Sequence, residues 1–143
     1  MHPVKKFLTE FLDDYLSYSG RLGRNRYSKL IFKAWLPLVV TVFLESLIVD
    51  GLELGARFPH TVTFIRVIMF SVTAFAWIAV PCLTARRMRD IGKSGWWAWL
   101  LIAVLLSPIP GSWLIGFLLL AWLSYKEGDP DANKYGKPPD DDD

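Results

Sequence analysis

The sequence predicts an all-α membrane protein with four membrane helices, the last two a short hairpin, preceded by an N-terminal amphipathic helix. Three observations predict it. Hydrophobic residues make up 52% of the 143-residue chain, and mean hydropathy is +0.29. The apolar residues fall into long runs. The basic residues are packed at the ends of those runs rather than spread over a polar face, although the net charge is only +2. Basic residues gather in Lys5–Lys33 and Arg86–Lys93, and acidic ones in the tail from Glu127 onward. Charge set against apolar segments is the membrane-flanking pattern, whereas nucleic-acid binders spread it over a water-exposed face. The expected partner is therefore the lipid bilayer, with no nucleic acid.

Phe7, Leu8, Phe11, Leu12 and Tyr15 recur at helical spacing, with Lys6, Thr9, Glu10, Asp13 and Asp14 on the other face. This predicts an amphipathic helix of about three turns, ended by Ser19-Gly20. Its short, acid-interrupted apolar pieces are no signal peptide. A basic run, Arg21 to Tyr27, leads into the first apolar segment, Leu30–Val49. Twenty residues rise about 30 Å, the thickness of the hydrocarbon core. Pro37 lies inside it, and Lys33 can snorkel at its basic end.

Asp50–Thr61 reads as a short loop, and Val62–Thr84 as a second span with Pro81 near its end. Arg66 and Glu45 lie near the outer ends of their spans, where a structural ion pair is expected rather than a conduction path. The last apolar stretch, Trp96–Tyr125, is broken by Ser107-Pro108-Ile109-Pro110-Gly111. Its arms are about 17 and 21 Å long if helical. Two short spans or a re-entrant hairpin both fit. Two spans are favoured, because irregular backbone at membrane depth needs cover from protein or water.

Basic residues then orient the chain. Lys5, Lys6, Arg21, Arg24, Arg26 and Lys29 precede the first span, and the next loop has Arg57 alone. The third connection has Arg86, Arg87, Arg89 and Lys93. Both termini and the Arg86–Lys93 loop are expected in the cytoplasm. The chain reads as a single membrane domain: a cytoplasmic entry segment (1–29), membrane helices (30–125) and a cytoplasmic acidic tail (126–143).

The block Arg86-Arg87-Met88-Arg89-Asp90-Ile91-Gly92-Lys93-Ser94-Gly95-Trp96-Trp97 is the densest in chemistry. Gly92-Lys93-Ser94 looks like the end of a phosphate-binding loop. That motif needs a glycine where Arg87 stands, and a preceding strand. Gly92 and Gly95 are better read as a chain reversal at the interface. The arginines have three readings: a topology signal, a structural one in which Asp90 pairs with Arg24 or Arg26, and a pocket for anionic headgroups. Trp96, Trp97, Trp99, Trp113 and Trp122 read as interface anchors. Asn133 and Tyr135 are expected to fold back onto the arginine loop.

The segments Gly20-Arg21-Leu22-Gly23-Arg24-Asn25-Arg26-Tyr27, Arg86–Trp97 and Asn133-Lys134-Tyr135-Gly136 resemble a bacterial family of small inner-membrane proteins of unknown function typified by YhaH. The likeness runs from about Tyr18 to Pro138. The family usually has a histidine where Arg89 stands and an aromatic pair where Leu30 and Ile31 stand. The resemblance implies a four-helix inner-membrane protein and no reaction.

Enzyme chemistry has little support: Ser71, Ser107 and Ser112 have no visible base. Cys82 cannot form an internal disulfide, and His2 and His60 lack cysteine partners at zinc spacing. No enzyme activity, cofactor or metal is expected. The function expected is a non-enzymatic accessory protein of the inner membrane. Its lipid- or partner-binding residues are Arg24, Arg26, Arg86, Arg87, Arg89, Asp90, Lys93, Trp96, Trp97, Asn133 and Tyr135. The ligand is an anionic phospholipid headgroup or another membrane protein. The alternative is a small oligomeric transporter or channel, which would need Glu45 or Arg66.

Overall fold

The computed structural model describes residues 3–47 and 57–139, so the Asp50–Ala56 part of the expected Asp50–Thr61 loop, the aspartates Asp140–Asp143 and His2 lie outside the described residues, while residues 59–61 of that loop are already helical. Five helices are present among the described residues: α1 (Pro3–Leu16), α2 (Arg24–Glu45), α3 (Pro59–Asp90), α4 (Trp97–Leu105) and α5 (Ser112–Tyr125). The only β pairing among them is an isolated bridge between Asn133 and Gly136.

Among the described residues two helices are long and apolar enough to cross a membrane. The 22 residues of α2 rise about 33 Å and the 32 of α3 about 48 Å, against a hydrocarbon core of about 30 Å. Both continue through an internal proline, Pro37 and Pro81. The 9 residues of α4 and 14 of α5 rise about 14 and 21 Å, each short of that thickness.

The basic block differs from its expected form. Arg86 to Asp90 do not lie in a connection but make the last turns of α3. Cations there are favoured by the negative end of the helix dipole. The reversal begins only at Gly92, whose φ of 73° lies in the left-handed region. Its N–H donates to the Arg89 carbonyl (3.1 Å) and that of Lys93 to the Met88 carbonyl (2.8 Å). These are the two hydrogen bonds of a Schellman terminus, which needs glycine at this position.

Two compact units are present, Phe32–Ile78 and a second built from Met1–Ile31 with Ala79–Asp143. The first holds residues 32–45 of α2 and 59–78 of α3. Ala34, Val62, Met69 and Ala76 are buried in it, while Phe32, Val39, Phe43, Phe64, Val67 and Phe70 are exposed. An apolar exterior of this extent suits hydrocarbon rather than water. Glu45 and Arg66 form an ion pair at 3.9 Å, as their placement suggested.

The second unit carries most of the buried core: Tyr15, Leu22, Tyr27, Leu30, Leu83, Leu101, Leu120 and Leu123 among others. Within it α4 packs on α5. Ala98, Leu101 and Ile102 of α4 and Ser112, Gly116, Leu120 and Leu123 of α5 are buried. A Cβ at Gly116 would run into the Leu105 side chain, so glycine permits this approach. At the hairpin tip the Ser112 hydroxyl donates to the Ser107 carbonyl (3.0 Å) and the Ile109 N–H to the Ser107 hydroxyl (3.3 Å). Local hydroxyls thus satisfy backbone groups that the turn leaves open.

Candidate functional site

Helical spacing in the last turns of α3 divides the basic block between two faces. Arg87 and Asp90, three residues apart, share one face with Thr84; Arg86 and Arg89 share another. The first face is buried and the second meets α1 and the entry segment.

On the buried face, Asp90 stands between two guanidinium groups. Its Oδ1 accepts a hydrogen bond from Arg21 Nε at 3.0 Å and its Oδ2 accepts from Arg87 Nη1. All three side chains are at most 2% exposed. A charge so placed is tolerable only when its partners are close and the remaining donors are filled. Backbone carbonyls fill them. Arg87 donates through Nε to Leu123 (2.9 Å), through Nη1 to Leu22 (3.4 Å) and through Nη2 to Lys126. Arg21 donates to the carbonyls of Asp129 (2.5 Å), Asp131 (2.8 Å) and Gly136 (3.2 Å), and to that of Asp90 itself. Three chain segments far apart in sequence converge here: the entry segment, the end of α3 and the tail after α5.

Backbone contacts complete the clamp. The Asp129 N–H donates to the Asp90 carbonyl at 2.8 Å. Gly128 lies so close to the Asp90 carboxylate that a Cβ there would collide with it. Asn133 Nδ2 donates to the Arg89 carbonyl (2.9 Å) and to Asp129 Oδ2 (3.1 Å), while its Oδ1 accepts from the Tyr135 N–H (2.9 Å). Mutual backbone bonds between Asn133 and Gly136 close the turn. The tail is thus turned back onto the end of α3, as the Asn133 and Tyr135 reading expected. Beneath the clamp, the buried Tyr27 hydroxyl lies 3.5 Å from that of Thr84.

On the other face Arg89 lies over the ring of Tyr18 (4.3 Å) and beside that of Tyr135 (5.6 Å), and donates to the Tyr18 carbonyl. Arg86 Nη1 donates to the carbonyls of Asp13 (3.5 Å) and Asp14 (3.1 Å) at the end of α1, favourable charge at a helix C-terminus. Its buried Nε has no hydrogen-bond partner among the described residues. Arg26 pairs with Asp14 at 2.6 Å, and this neighbouring carboxylate adds to burial in pushing the Tyr15 phenol up.

The expected partners of Asp90 therefore need correction. Neither Arg24 nor Arg26 pairs with it; Arg24 approaches Glu127 (3.7 Å) and Arg26 is held by Asp14. Arg21, absent from the expected binding residues, ties all three segments together, as Arg87 does. Arg87 is wholly buried and its donors go to protein acceptors. Lys93, Trp96 and Trp97 stand apart from the clamp and are exposed. A cleft of about 480 Å³ beside the clamp is lined by Arg24 but also by Asp90, Glu127 and Asp129, a balance unsuited to phosphate. Among the described residues no group of three or more His, Cys, Asp or Glu is placed to hold a metal ion.

A family model described as a protein of unknown function (DUF805) matches residues 15–137, a span that takes in the clamp from entry segment to tail. The chain is 29% identical over 129 residues to the inner membrane protein YhaI of Escherichia coli strain K12, covering 90% of each chain. The YhaI protein of E. coli O157:H7 matches to the same extent. These relatives carry the name YhaI, where the sequence resemblance pointed to YhaH. No solved structure matches.

Proposed function

The chain belongs to the DUF805 family of unknown function, and on that premise we propose that it is a non-enzymatic accessory protein of the bacterial inner membrane that binds anionic phospholipid on its cytoplasmic side. In this reading α2 and α3 cross the bilayer. The α4–α5 hairpin starts and ends on the cytoplasmic side, α1 lies along the interface, and both termini are cytoplasmic. The name of the E. coli relative and the two long apolar helices support the membrane. The basic residues flanking the helices support the orientation.

The observation that carries the lipid reading is the division of labour among the cations. Arg21 and Arg87 are buried and hold the fold. Arg24, Lys29 and Lys93 remain exposed, Arg24 beside Glu127, and the indoles of Trp96, Trp97, Trp99 and Trp122 are exposed as well. Exposed cations and indoles at helix ends suit a headgroup layer rich in anionic lipid. The buried clamp then serves as the rigid frame that holds this rim. The transporter alternative draws less support, because Glu45 and Arg66 neutralise each other.

Native mass spectrometry in mild detergent tests the reading, using a mixture of phosphatidylglycerol and phosphatidylcholine. Preferential retention of phosphatidylglycerol is expected, reduced at least fivefold in the Arg24→Gln, Lys29→Gln, Lys93→Gln triple variant. Equal retention of the two lipids by the wild type would overturn it and leave a membrane protein as the partner to seek.

A further inference from the structure

Beside the α4–α5 hairpin runs an apolar groove that the clamp does not use. Its volume is about 320 Å³. Lys93, Trp97 and Trp122 line it near the base of the hairpin, and Leu100, Val104 and Leu119 line it further along the two helices. It is graded along its length. The one charged lining residue and both indoles are at the base, with Met88, Ile91 and Leu123 among them, and the part toward the tip is aliphatic alone. Lys93 is exposed, and its ammonium makes no ion pair or hydrogen bond among the described residues.

We propose that this groove is a specific phospholipid site, in which one acyl chain lies between α4 and α5 and the anionic phosphate meets the Lys93 ammonium at the interface. This deepens the lipid reading above and rests on it, since the groove faces lipid only if the hairpin is in the bilayer. Four features support that occupant. The cation and indoles at one end and the aliphatic lining at the other follow the headgroup and chain of a lipid. The flexible Lys93 stem can place its charge at the headgroup level while its methylenes stay on apolar surface. The volume is at the small end of ligand sites, which suits a single chain rather than a whole lipid. Charge complementarity selects the occupant: a lone cation without a protein carboxylate calls for an anionic headgroup over a zwitterionic one.

Two variants test the site, and of these Leu119→Trp separates it from the general basic rim, to which Lys93 belongs. Lys93→Gln removes the charge and keeps the stem. Leu119→Trp fills the groove from a position already partly exposed, and so leaves the hairpin contacts in place. The assay is native mass spectrometry of the full chain with phosphatidylglycerol and phosphatidylcholine, at rising collision energy. The wild type is expected to keep one phosphatidylglycerol after the others have dissociated. Each variant is expected to lose that last lipid, with occupancy down at least fivefold, and to keep the weaker ones. Retention of the last lipid in Leu119→Trp, whatever Lys93→Gln does, would show that no chain occupies the groove and overturn the inference. If an Arg24→Gln, Lys29→Gln variant, with Lys93 intact, loses the preference, the lipid reading survives that failure. No preference for phosphatidylglycerol in the wild type would overturn both. A second copy of the chain retained in place of lipid would overturn the groove site and make the hairpin a self-association surface.

Discussion

Replacing Asp90 with alanine should release the tail while leaving the helices intact. The carboxylate is 2% exposed and sits between Arg21 and Arg87, whose side chains are equally buried. Its removal leaves two guanidinium charges without their counter-ion. Breaking a buried pair in this way costs about 3–5 kcal/mol. The lower end applies here, because each arginine keeps three carbonyl acceptors from other residues: Asp129, Asp131 and Gly136 for Arg21; Leu123, Leu22 and Lys126 for Arg87. At about 1.4 kcal/mol per tenfold, 3 kcal/mol raises the open population of the tail on the order of a hundredfold. The assay is hydrogen–deuterium exchange with mass spectrometry in detergent. It follows the amides of Asp129, Asn133 and Gly136, each of which donates to a backbone carbonyl in the clamp. Their exchange should quicken on the order of a hundredfold, while amides in the middle of α3 and α5 keep their protection, as expected of locally opening units. Asp90→Asn separates charge from shape: one amide face presents a donor to a guanidinium, so the tail should open in that variant too. Protection of the tail within a factor of about three of wild type in both variants would refute the claim that the ion cluster holds it.

Two further outcomes follow from the same contacts. Gly128→Ala puts a methyl group onto the Asp90 carboxylate, and overpacking of this kind costs about 1–3 kcal/mol; tail exchange should quicken roughly tenfold, and unchanged exchange would show that the close approach is not required. Removal of residues 133–143 deletes the Gly136 acceptor of Arg21 and the Asn133 donor to Arg89. With about 1.5–3 kcal/mol for a hydrogen bond to a charged group and about 1 kcal/mol for a neutral one, the melting temperature in detergent should fall by about 5 °C or more. A truncated protein that melts with the full chain would make the tail dispensable to the fold.

The helices were legible because their signals are local. Apolar runs, two of membrane length and two shorter, bounded by Gly, Pro and charge, placed α2, α3 and the two arms of the hairpin, with α1 read from its period. The ends were less legible. The density of charge in Arg86–Asp90 reads as a loop, yet the helix runs through it and stops at Gly92, where a left-handed residue is available. Had the helical period been carried through the block, Arg87 and Asp90 would have fallen on one face three residues apart. That much of the buried pair was readable.

Arg21 was not. In sequence it is one of several cations before an apolar segment, and topology alone accounts for it. Its function comes from acceptors 108–115 residues away, brought to it by the return of the tail. The sequence by itself determined where the chain is apolar, where it turns and which ends carry positive charge, since each is a property of neighbouring residues. Only the tertiary structure decided which arginines are buried in the clamp and which cations stay exposed on the rim. Desolvation of a charge depends on everything packed around it, and those neighbours come from three separate parts of the chain.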